Sequence, residues 1–375
     1  MDINHGSAGT SLCVLVPPYN CQGKKYNNNY VSKIVEYFPN NKIVNNELRI
    51  SKYLLKKYKK KILYKYFNII LDSCIVKSKK KLGKCKTKKY QKYIILYSKN
   101  GGCKPITKYS KVFVNNRKIK INNIKNDKLI SNNKKYNKNN ITRRCGDLTY
   151  SDGLLLKVFF SKKHEKINVK RLIKIVSLLE KFKVIHFDIK LDNILSNSKK
   201  ELRLIDFGLS ILLSDLQKIN TNYNFNIVLN KFYLKLYGWT DNYISPEIII
   251  ISLFFKNNDI DKDSMIILLK KKLEESFYIG YINNKHSKII VDLLDYIYNN
   301  KMEFLISLIN GSIFKTDIYC MGKSLYYIFN YVFNKPINLN DSINNKLVSL
   351  IYNMTYIDYR LRYNVKKCIN DIYFK

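Results

Sequence analysis

The stretch VIHFDIKLDNILSNSKKELRLIDFGLS, residues 184–210, places polar side chains at fixed intervals among apolar ones. Asp188 and Asn193 can serve one site from one loop, because the carboxylate can accept the proton of an attacking hydroxyl while the amide oxygen binds a metal ion. Lys190 can neutralise charge on a phosphoryl group in transit. Asp206, after the apolar run LRLI, can hold Mg²⁺ against nucleotide phosphates. Phosphoryl transfer needs such a set, since its catalysis is mostly positioning and charge neutralisation.

The elements that must position these residues are indicated by the periodicity of the chain. NVKRLIKIVSLLEKF predicts a helix that ends just before the loop and carries one apolar face, formed by Val169, Leu172, Ile173, Val176 and Leu179. LRLI predicts a strand before Asp206. Upstream, SLCVLVPP, NYVSKIV, LYKYFNII and KYIILYS predict strands, and NNELRISKYLLKKYKKK predicts a helix. After residue 247 the pattern is again mostly helical.

The composition allows one large domain or two smaller ones that share a cleft. With 46% apolar residues the chain is not globally disordered. A net charge of +40 favours an acidic partner, but only 8 of the 68 basic residues are the arginines that read bases. The abundant Lys, Asn, Ile, Tyr and Phe share A/T-rich codons. We therefore expect coding bias and solubility to explain the charge, and nucleic acid or anionic membrane stays the less favoured partner.

Targeting and metal-binding patterns are sparse. The eight cysteines form no CxxC pair, and no His lies at a zinc-ligand spacing from them. The N-terminal stretch lacks the basic region of a signal peptide, and the longest apolar block, IIIISLFF at 248–255, is too short to span a bilayer. We expect a cytoplasmic protein.

The pattern H-x-D-x-K-x-x-N at 186–193, followed by D-F-G, resembles the catalytic loop and metal-binding turn of eukaryotic-type protein kinases. A Lys two positions after the Asp is typical of the Ser/Thr-specific branch. The resemblance implies an α+β, two-lobed fold with a small antiparallel sheet lobe, a larger helical lobe, and ATP with Mg²⁺ between them. It makes Asp188 and Lys190 catalytic, and Asn193 and Asp206 the metal ligands.

Two further charged residues match the small lobe of the family. Family members carry a Lys on the third strand that binds nucleotide phosphates and pairs with a helix Glu. NYVSKIV supplies Lys33 where the family has V-A-I-K, and NNELRISKYL supplies Glu47 fourteen residues later. The resemblance implies that Lys33 anchors the phosphates and that Glu47 orients Lys33. It also places adenine against the backbone near Tyr97 to Lys99.

Three motifs match the large lobe. Ser-Pro-Glu ending at Glu247 resembles the A-P-E box, Asp317 with Gly322 resembles the D-x-W-S-x-G helix start, and Asp358 with Arg362 resembles the D-P-x-x-R turn. In the family the Glu and the Arg form a buried ion pair. Glu247 and Arg362 are therefore structural predictions.

The pattern departs from the family in the longer spans from Asp206 to Glu247 and from Glu247 to Asp317, and in the residues at two sites. HGSAGTSLCVLVPP supplies Gly6 and Gly9 for the phosphate loop and Val14 for the following Val, but Leu12 stands where a third Gly is expected. Phe187 replaces the Arg that usually pairs with a phosphorylated activation segment. We expect activity without such phosphorylation.

The predicted small lobe covers 1–98 and contains a Lys-rich insert at 77–91. The predicted large lobe covers 99–375, and its segments are a low-complexity insert at about 115–145, the catalytic loop 186–193, the activation segment 206–247 and a helical insert at about 252–312.

An active Ser/Thr protein kinase is the leading interpretation. A pseudokinase that acts as a scaffold, and a basic kinase-fold module that binds nucleic acid or anionic membrane, remain alternatives. The N-terminal pattern, the inserts and the A/T bias resemble divergent kinases of large cytoplasmic DNA viruses, which implies host cytoplasm, a virus factory or the virion. Neither the protein substrate nor the oligomeric state is predicted.

Overall fold

The computed structural model describes most of the chain outside the Lys/Asn-rich tracts. The described residues are 2–4, 11–16, 18–19, 30–36, 42–77, 92–99, 104–105, 162–196, 201–236, 245–276, 284–327 and 346–373. The predicted insert at about 115–145 lies outside them, as does all but the first residue of the insert at 77–91. Among the described residues, no helix is long and apolar enough to cross a membrane.

An antiparallel sheet forms the N-terminal part of the molecule. It consists of five strands. The strands of all the described residues are β1 (Asp2–Asn4), β2 (Ser11–Val16), β3 (Tyr30–Glu36), β4 (Phe67–Asn68), β5 (Ile70–Lys77), β6 (Lys92–Lys99), β7 (Lys104–Pro105), β8 (Val184–Ile185), β9 (Ile194–Ser196), β10 (Leu202–Ile205) and β11 (Ile211–Leu212). The five strands of the N-terminal sheet lie in the order β1-β2-β3-β6-β5. A second sheet has the order β4-β10-β9-β7, and β11 pairs with β8.

Helices make up most of the rest. They are α1 (Lys42–Lys57), α2 (Lys60–Tyr66), α3 (Lys162–Lys181), α4 (Leu213–Gln217), α5 (Phe225–Lys235), α6 (Pro246–Lys256), α7 (Lys262–Ser276), α8 (Asn284–Asn299), α9 (Lys301–Ser307), α10 (Phe314–Tyr327), α11 (Lys346–Met354) and α12 (Val365–Tyr373). Local signals explain some boundaries: Asn224 accepts a hydrogen bond from the Ile227 N–H at 3.1 Å and caps α5, and Pro246 opens α6 at its first position.

Helix α1 packs against one face of the five-stranded sheet. Its Val44 shares a buried cluster with Val35, Ile70, Ile94 and Leu96 from three strands. Successive strand residues alternate between faces, so these apolar side chains line the face that α1 covers. The same alternation places Lys33 on that face, since it is two positions from Val35.

The predicted helix before the catalytic loop is confirmed as α3. All five residues of its predicted face are buried, and they join one large cluster with α1, α2, β8 to β10, α10 and α11. A second cluster joins the residues after the D-F-G turn to α5 through α9. The α+β, two-lobed fold class is confirmed, while the lobe boundary at residue 98 stays a prediction.

The strand predicted from LYKYFNII is wrong over its first half. Residues up to Tyr66 belong to helix α2, and extended structure begins only at Phe67. Leu63 and Phe67 are both buried at a spacing of four. That spacing fits one face of a helix as well as a strand, and packing against the large cluster decides between them.

Candidate active site

Lys33 and Glu47 meet between the sheet and its helix. Lys33 lies in β3 opposite Val14 of β2 and Leu96 of β6, and its Nζ is 3.3 Å from Oε2 of Glu47 on α1. Burial works to lower the pKa of Lys33, but the carboxylates of Glu47 and Asp206 outweigh it and raise that pKa. Lys33 is therefore held as a cation shared by two carboxylates.

Asp206 approaches the same cation from the end of β10. Its Oδ2 is 3.7 Å from Nζ of Lys33, and its Oδ1 accepts a hydrogen bond from the Gly208 N–H at 3.3 Å. Although burial opposes it, Lys33 and that N–H lower the pKa of Asp206. The backbone of Asp206 is left-handed, with φ at 65°, a conformation that Asp adopts more readily than most residues. The carboxylate is thus ionised and turned toward Lys33.

Asp188, Lys190 and Asn193 form one polar cluster in the catalytic loop. Nζ of Lys190 is 2.9 Å from Oδ1 of Asp188, and Nδ2 of Asn193 donates to Oδ2 and to the backbone carbonyl of Asp188, both at 2.8 Å. Burial raises the pKa of Asp188 to about 6, although Lys190 opposes the shift. Such a carboxylate is mostly ionised at neutral pH, yet it is a stronger base than an exposed Asp.

His186 and Asp317 hold the backbone of this loop in place. The N–H groups of His186 and Phe187 donate to the carboxylate of Asp317 at 2.7 and 2.9 Å. Nδ1 of His186 accepts from the Asp188 N–H at 3.2 Å, and Nε2 lies 3.1 Å from the carbonyl oxygen of Ile205. Burial lowers the pKa of His186 to about 4, so the ring is neutral and Nε2 carries the proton. The ring therefore links the loop to the strand that ends at the D-F-G turn.

Phe187 is buried at the position where the family usually has Arg. Its backbone is left-handed, with φ at 62°, and such a conformation costs about 1–3 kcal/mol in a bulky residue. Its ring belongs to a buried apolar cluster with Ile211 and Leu213, the first residues of β11 and α4. Apolar packing thus takes the place of a charge at the start of the activation segment.

Glu247 and Arg362 lie deep in the large lobe and far from these groups in sequence. Arg362 donates to both carboxylate oxygens of Glu247, at 2.7 and 2.9 Å, and both side chains are fully buried. Thr316 donates a further hydrogen bond to Glu247 at 3.0 Å. Although burial opposes it, Arg362 lowers the pKa of Glu247. The pair that the motifs implied is formed.

Four predicted contacts with the nucleotide are less defined. Gly6 and Gly9 lie outside the described residues, and Val14 is described only as part of β2. Tyr97 is buried, and its hydroxyl donates to the carbonyl of Tyr19 at 2.7 Å. The Tyr97 side chain is therefore engaged elsewhere, and adenine contact through the nearby backbone stays a prediction.

The sequence pattern of the protein kinase domain matches residues 142–374 of this chain. This match covers more than half of the chain and includes Asp188, Asp206 and Arg362. The chain belongs to the protein kinase family. Members of this family generally bind ATP and Mg²⁺.

Lys33 and Glu47 precede the matched residues. They are therefore identified by their places in β3 and α1, by their ion pair, and by the approach of Asp206 to Lys33. Among solved structures, the ROP18 kinase domain in complex with AMP-PNP and sucrose is similar at 13% sequence identity and a TM-score of 0.42, covering 92% of this chain and 70% of that chain. No curated protein matches the sequence.

Two residues of this kinase offer the type of ligand atom that a magnesium ion prefers. Asp206 offers an ionised carboxylate whose side chain is 30% exposed, and Asn193 offers an amide oxygen. Mg²⁺ prefers such oxygen ligands and usually takes its remaining ligands from phosphates and water. Among the described residues no group of three His, Cys, Asp or Glu side chains could hold a metal. The two protein ligands, Asp206 and Asn193, fit a magnesium ion that takes its other ligands from the nucleotide phosphates.

The motifs did not point to Asn46, which precedes Glu47 in helix α1. Asn46 is buried, and it contacts the backbone that follows Asp206. One signal was present in the sequence. Asn46 lies four residues before the buried Ile50, so the apolar face of α1 contains an Asn, which is a poor helix former that competes for backbone hydrogen bonds.

Proposed function

We propose that this protein is an active Ser/Thr protein kinase that transfers the γ-phosphoryl group of ATP to a hydroxyl of a protein substrate. One observation carries the proposal: Nζ of Lys33 is within ion-pair distance of both Glu47 and Asp206. These three residues come from β3, α1 and the D-F-G turn. In protein kinases the Lys–Glu ion pair and the Asp of this turn must both be in place for catalysis. A chain that had lost catalysis would not need to retain this contact.

Each polar residue of the site has a role in this proposal. Lys33 binds the nucleotide phosphates, and Glu47 holds Lys33 in position. Asp188 orients the attacking hydroxyl and accepts its proton, which its raised pKa favours. Lys190, within 2.9 Å of that carboxylate, neutralises charge on the transferred group.

Asn193 and Asp206 would hold Mg²⁺. When bound, the ion supplies neutralisation of charge across the nucleotide phosphates. The protein prepares for it by keeping Asp206 ionised through Lys33 and the Gly208 N–H. The amide of Asn193 is oriented by its two bonds to Asp188.

The choice of Ser/Thr hydroxyls rests on Lys190. The Ser/Thr branch of the family carries Lys two residues after the catalytic Asp, and here that Lys forms an ion pair with Asp188. A cation at this place lies beside the attacking hydroxyl and the phosphoryl group together, where it offsets the charge that develops during transfer.

Mg²⁺-dependent transfer of labelled phosphate from ATP, to the protein itself and to a generic basic protein, tests the proposal. We expect incorporation on Ser or Thr by the parent, and a loss of at least about a hundredfold in Asp188→Asn and in Lys33→Met. Asp259→Asn and Lys56→Met make the same chemical changes at exposed positions and should retain activity.

Two outcomes would contradict the proposal. A folded parent without incorporation would favour the pseudokinase, and ATP binding would then distinguish a silent nucleotide site from a pure scaffold. Salt-dependent binding to duplex DNA or anionic vesicles without phosphate transfer would favour the basic binding module, which the net charge of +40 keeps as an alternative.

A further inference from the structure

Helix α1 is bonded to the segment that follows Asp206, as well as packed on the sheet. The contact is made by Asn46 and Arg49, which flank Glu47 along the helix. They reach Gly208 and Ser210 of the activation segment, and Asp215 in α4. The helix that carries Glu47 is thereby tied to the segment that carries the D-F-G turn.

The amide of Asn46 is fully used in this contact. Nδ2 donates to the carbonyl oxygens of Gly208 at 2.9 Å and Ser210 at 2.7 Å. Oδ1 accepts two hydrogen bonds from the guanidinium of Arg49, at 3.2 and 2.9 Å. Asn46 is only 3% exposed, so water cannot replace these bonds at little cost. The arrangement requires a donor and an acceptor on one short side chain.

Arg49 contributes in a different way. Its guanidinium forms an ion pair with Asp215 at 2.5 Å, but its side chain is 44% exposed, and exposed pairs contribute little by themselves. Its two bonds to Oδ1 fix which end of the Asn46 amide faces the carbonyls. Arg49 therefore orients Asn46 and extends the contact to α4.

The segment at the other end of the contact is anchored as well. The Ser210 hydroxyl donates to the carbonyl of His186 at 3.4 Å, and the Ser210 N–H donates to the carbonyl of Phe207 at 3.2 Å. Ser210 is fully buried. Asn46 therefore binds a fixed part of the large lobe, so its hydrogen bonds set the position of α1.

We propose that Asn46, oriented by Arg49, is a positioning residue that holds α1 where Glu47 can pair with Lys33. This inference rests on the proposed kinase activity, and it assigns to the chain itself the task of keeping the helix in its catalytic position. The contacts of Asn46 are with Gly208, Ser210 and Arg49, so in this proposal it acts through Glu47.

The test compares the variants Asn46→Asp and Asn45→Asp in the full-length chain. Asp at 46 keeps the shape of Asn, but an acceptor oxygen replaces the Nδ2 donor that faces the carbonyls of Gly208 and Ser210. We expect kcat/KM for ATP to fall about tenfold to a hundredfold, corresponding to the two lost hydrogen bonds. Asn45→Asp makes the same change one residue earlier, at an exposed position, and should remain close to the parent. Arg49→Ala should give a smaller loss, of about twofold to fivefold.

A double-mutant cycle with Glu47→Gln separates positioning from a general loss of structure. If Asn46 acts through Glu47, Asn46→Asp should reduce the rate little further once Glu47 is replaced. Independent losses that multiply would overturn the proposal, as would equal rates for Asn46→Asp and Asn45→Asp. Thermal unfolding identifies any variant that has simply unfolded, and Arg49→Ala then serves as the second variant in the cycle.

The two proposals can fail separately. An inactive parent would end the proposed function. An active parent whose rate is insensitive to Asn46 would end only the positioning role and leave the kinase proposal intact.

Discussion

The absence of a side chain at Gly208 lets helix α1 pack closely against the D-F-G turn. A Cβ added at Gly208 would be 2.5 Å from Cγ2 of Ile43 and 3.2 Å from Oδ1 of Asp206. The absence of a side chain therefore lets α1 approach the D-F-G turn closely enough for Asn46 and Glu47 to make their contacts.

Gly208→Ala should separate α1 from the turn. Overpacking at a close contact costs about 1–3 kcal/mol, and we expect kcat/KM for ATP to fall by about tenfold or more if α1 moves instead of Ile43. The double variant Gly208→Ala with Ile43→Ala removes the clashing methyl and should recover much of the activity. Steady-state kinetics on the two variants and on Ile43→Ala alone test this; failure of the double variant to recover would show that the clash lies elsewhere.

At the scale of elements, the start of the activation segment is held by packing. Phe187, Ile211 and Leu213 share a buried cluster, and the N–H of Leu213 donates to the carbonyl of Lys183 at 2.9 Å. Arg49 on α1 reaches Asp215 in α4. These contacts hold residues 207–215 against the catalytic loop and helix α1.

We therefore expect phosphatase treatment to leave the rate of phosphate transfer within about twofold of the untreated protein. Residue 187 is Phe and cannot form an ion pair with a phosphorylated residue, as an Arg could. Intact mass would verify that all phosphate has been removed, and heat-inactivated phosphatase is the control. Protein that becomes inert after treatment, and recovers only with an upstream kinase, would contradict this expectation.

At the scale of the whole molecule, one buried ion pair ties distant parts of the large lobe together. Arg362 donates to Glu247 and also to the backbone carbonyls of Tyr356, Lys315 and Ile357. Burying two charges is costly, and the pair is stable only because nearly every donor finds an acceptor. Removing one partner leaves the other charge buried and uncompensated.

Glu247→Gln should lower the free energy of unfolding by about 3–5 kcal/mol at pH 7. Glu275→Gln, at an exposed i,i+3 pair with Lys272, is the matched control and should change it little. Denaturant unfolding of both variants and the parent measures the difference.

The same variant carries a pH signature. Arg362 holds the pKa of Glu247 below its ordinary value of 4.5, so the carboxylate contributes stability above that pH and loses it as pH falls through the lower folded value. The difference in the free energy of unfolding between the parent and Glu247→Gln should therefore become smaller below pH 4.5. A difference that stays constant would contradict the assignment of the loss to the charge.

The sequence alone indicated the family and predicted the chemistry of the site. The spacing of Asp188, Lys190 and Asn193 could be interpreted directly, because a loop of eight residues leaves little choice in how these groups are arranged. The helix before the loop was also predictable, since its apolar face repeats with a clear helical period. The viral lineage and the cytoplasmic setting stay predictions.

Only the tertiary structure decided how the two lobes are joined. The bonds from Asn46 to Gly208 and Ser210 span 162 and 164 residues. The pair of Glu247 with Arg362, by contrast, was implied by the motifs and lies within the large lobe. No local pattern encodes the contact of Asn46, because an Asn in a helix looks the same whether it is exposed or buried. The helix α2 in place of a strand has the same cause: a short apolar run fits either element, and the surrounding core selects one.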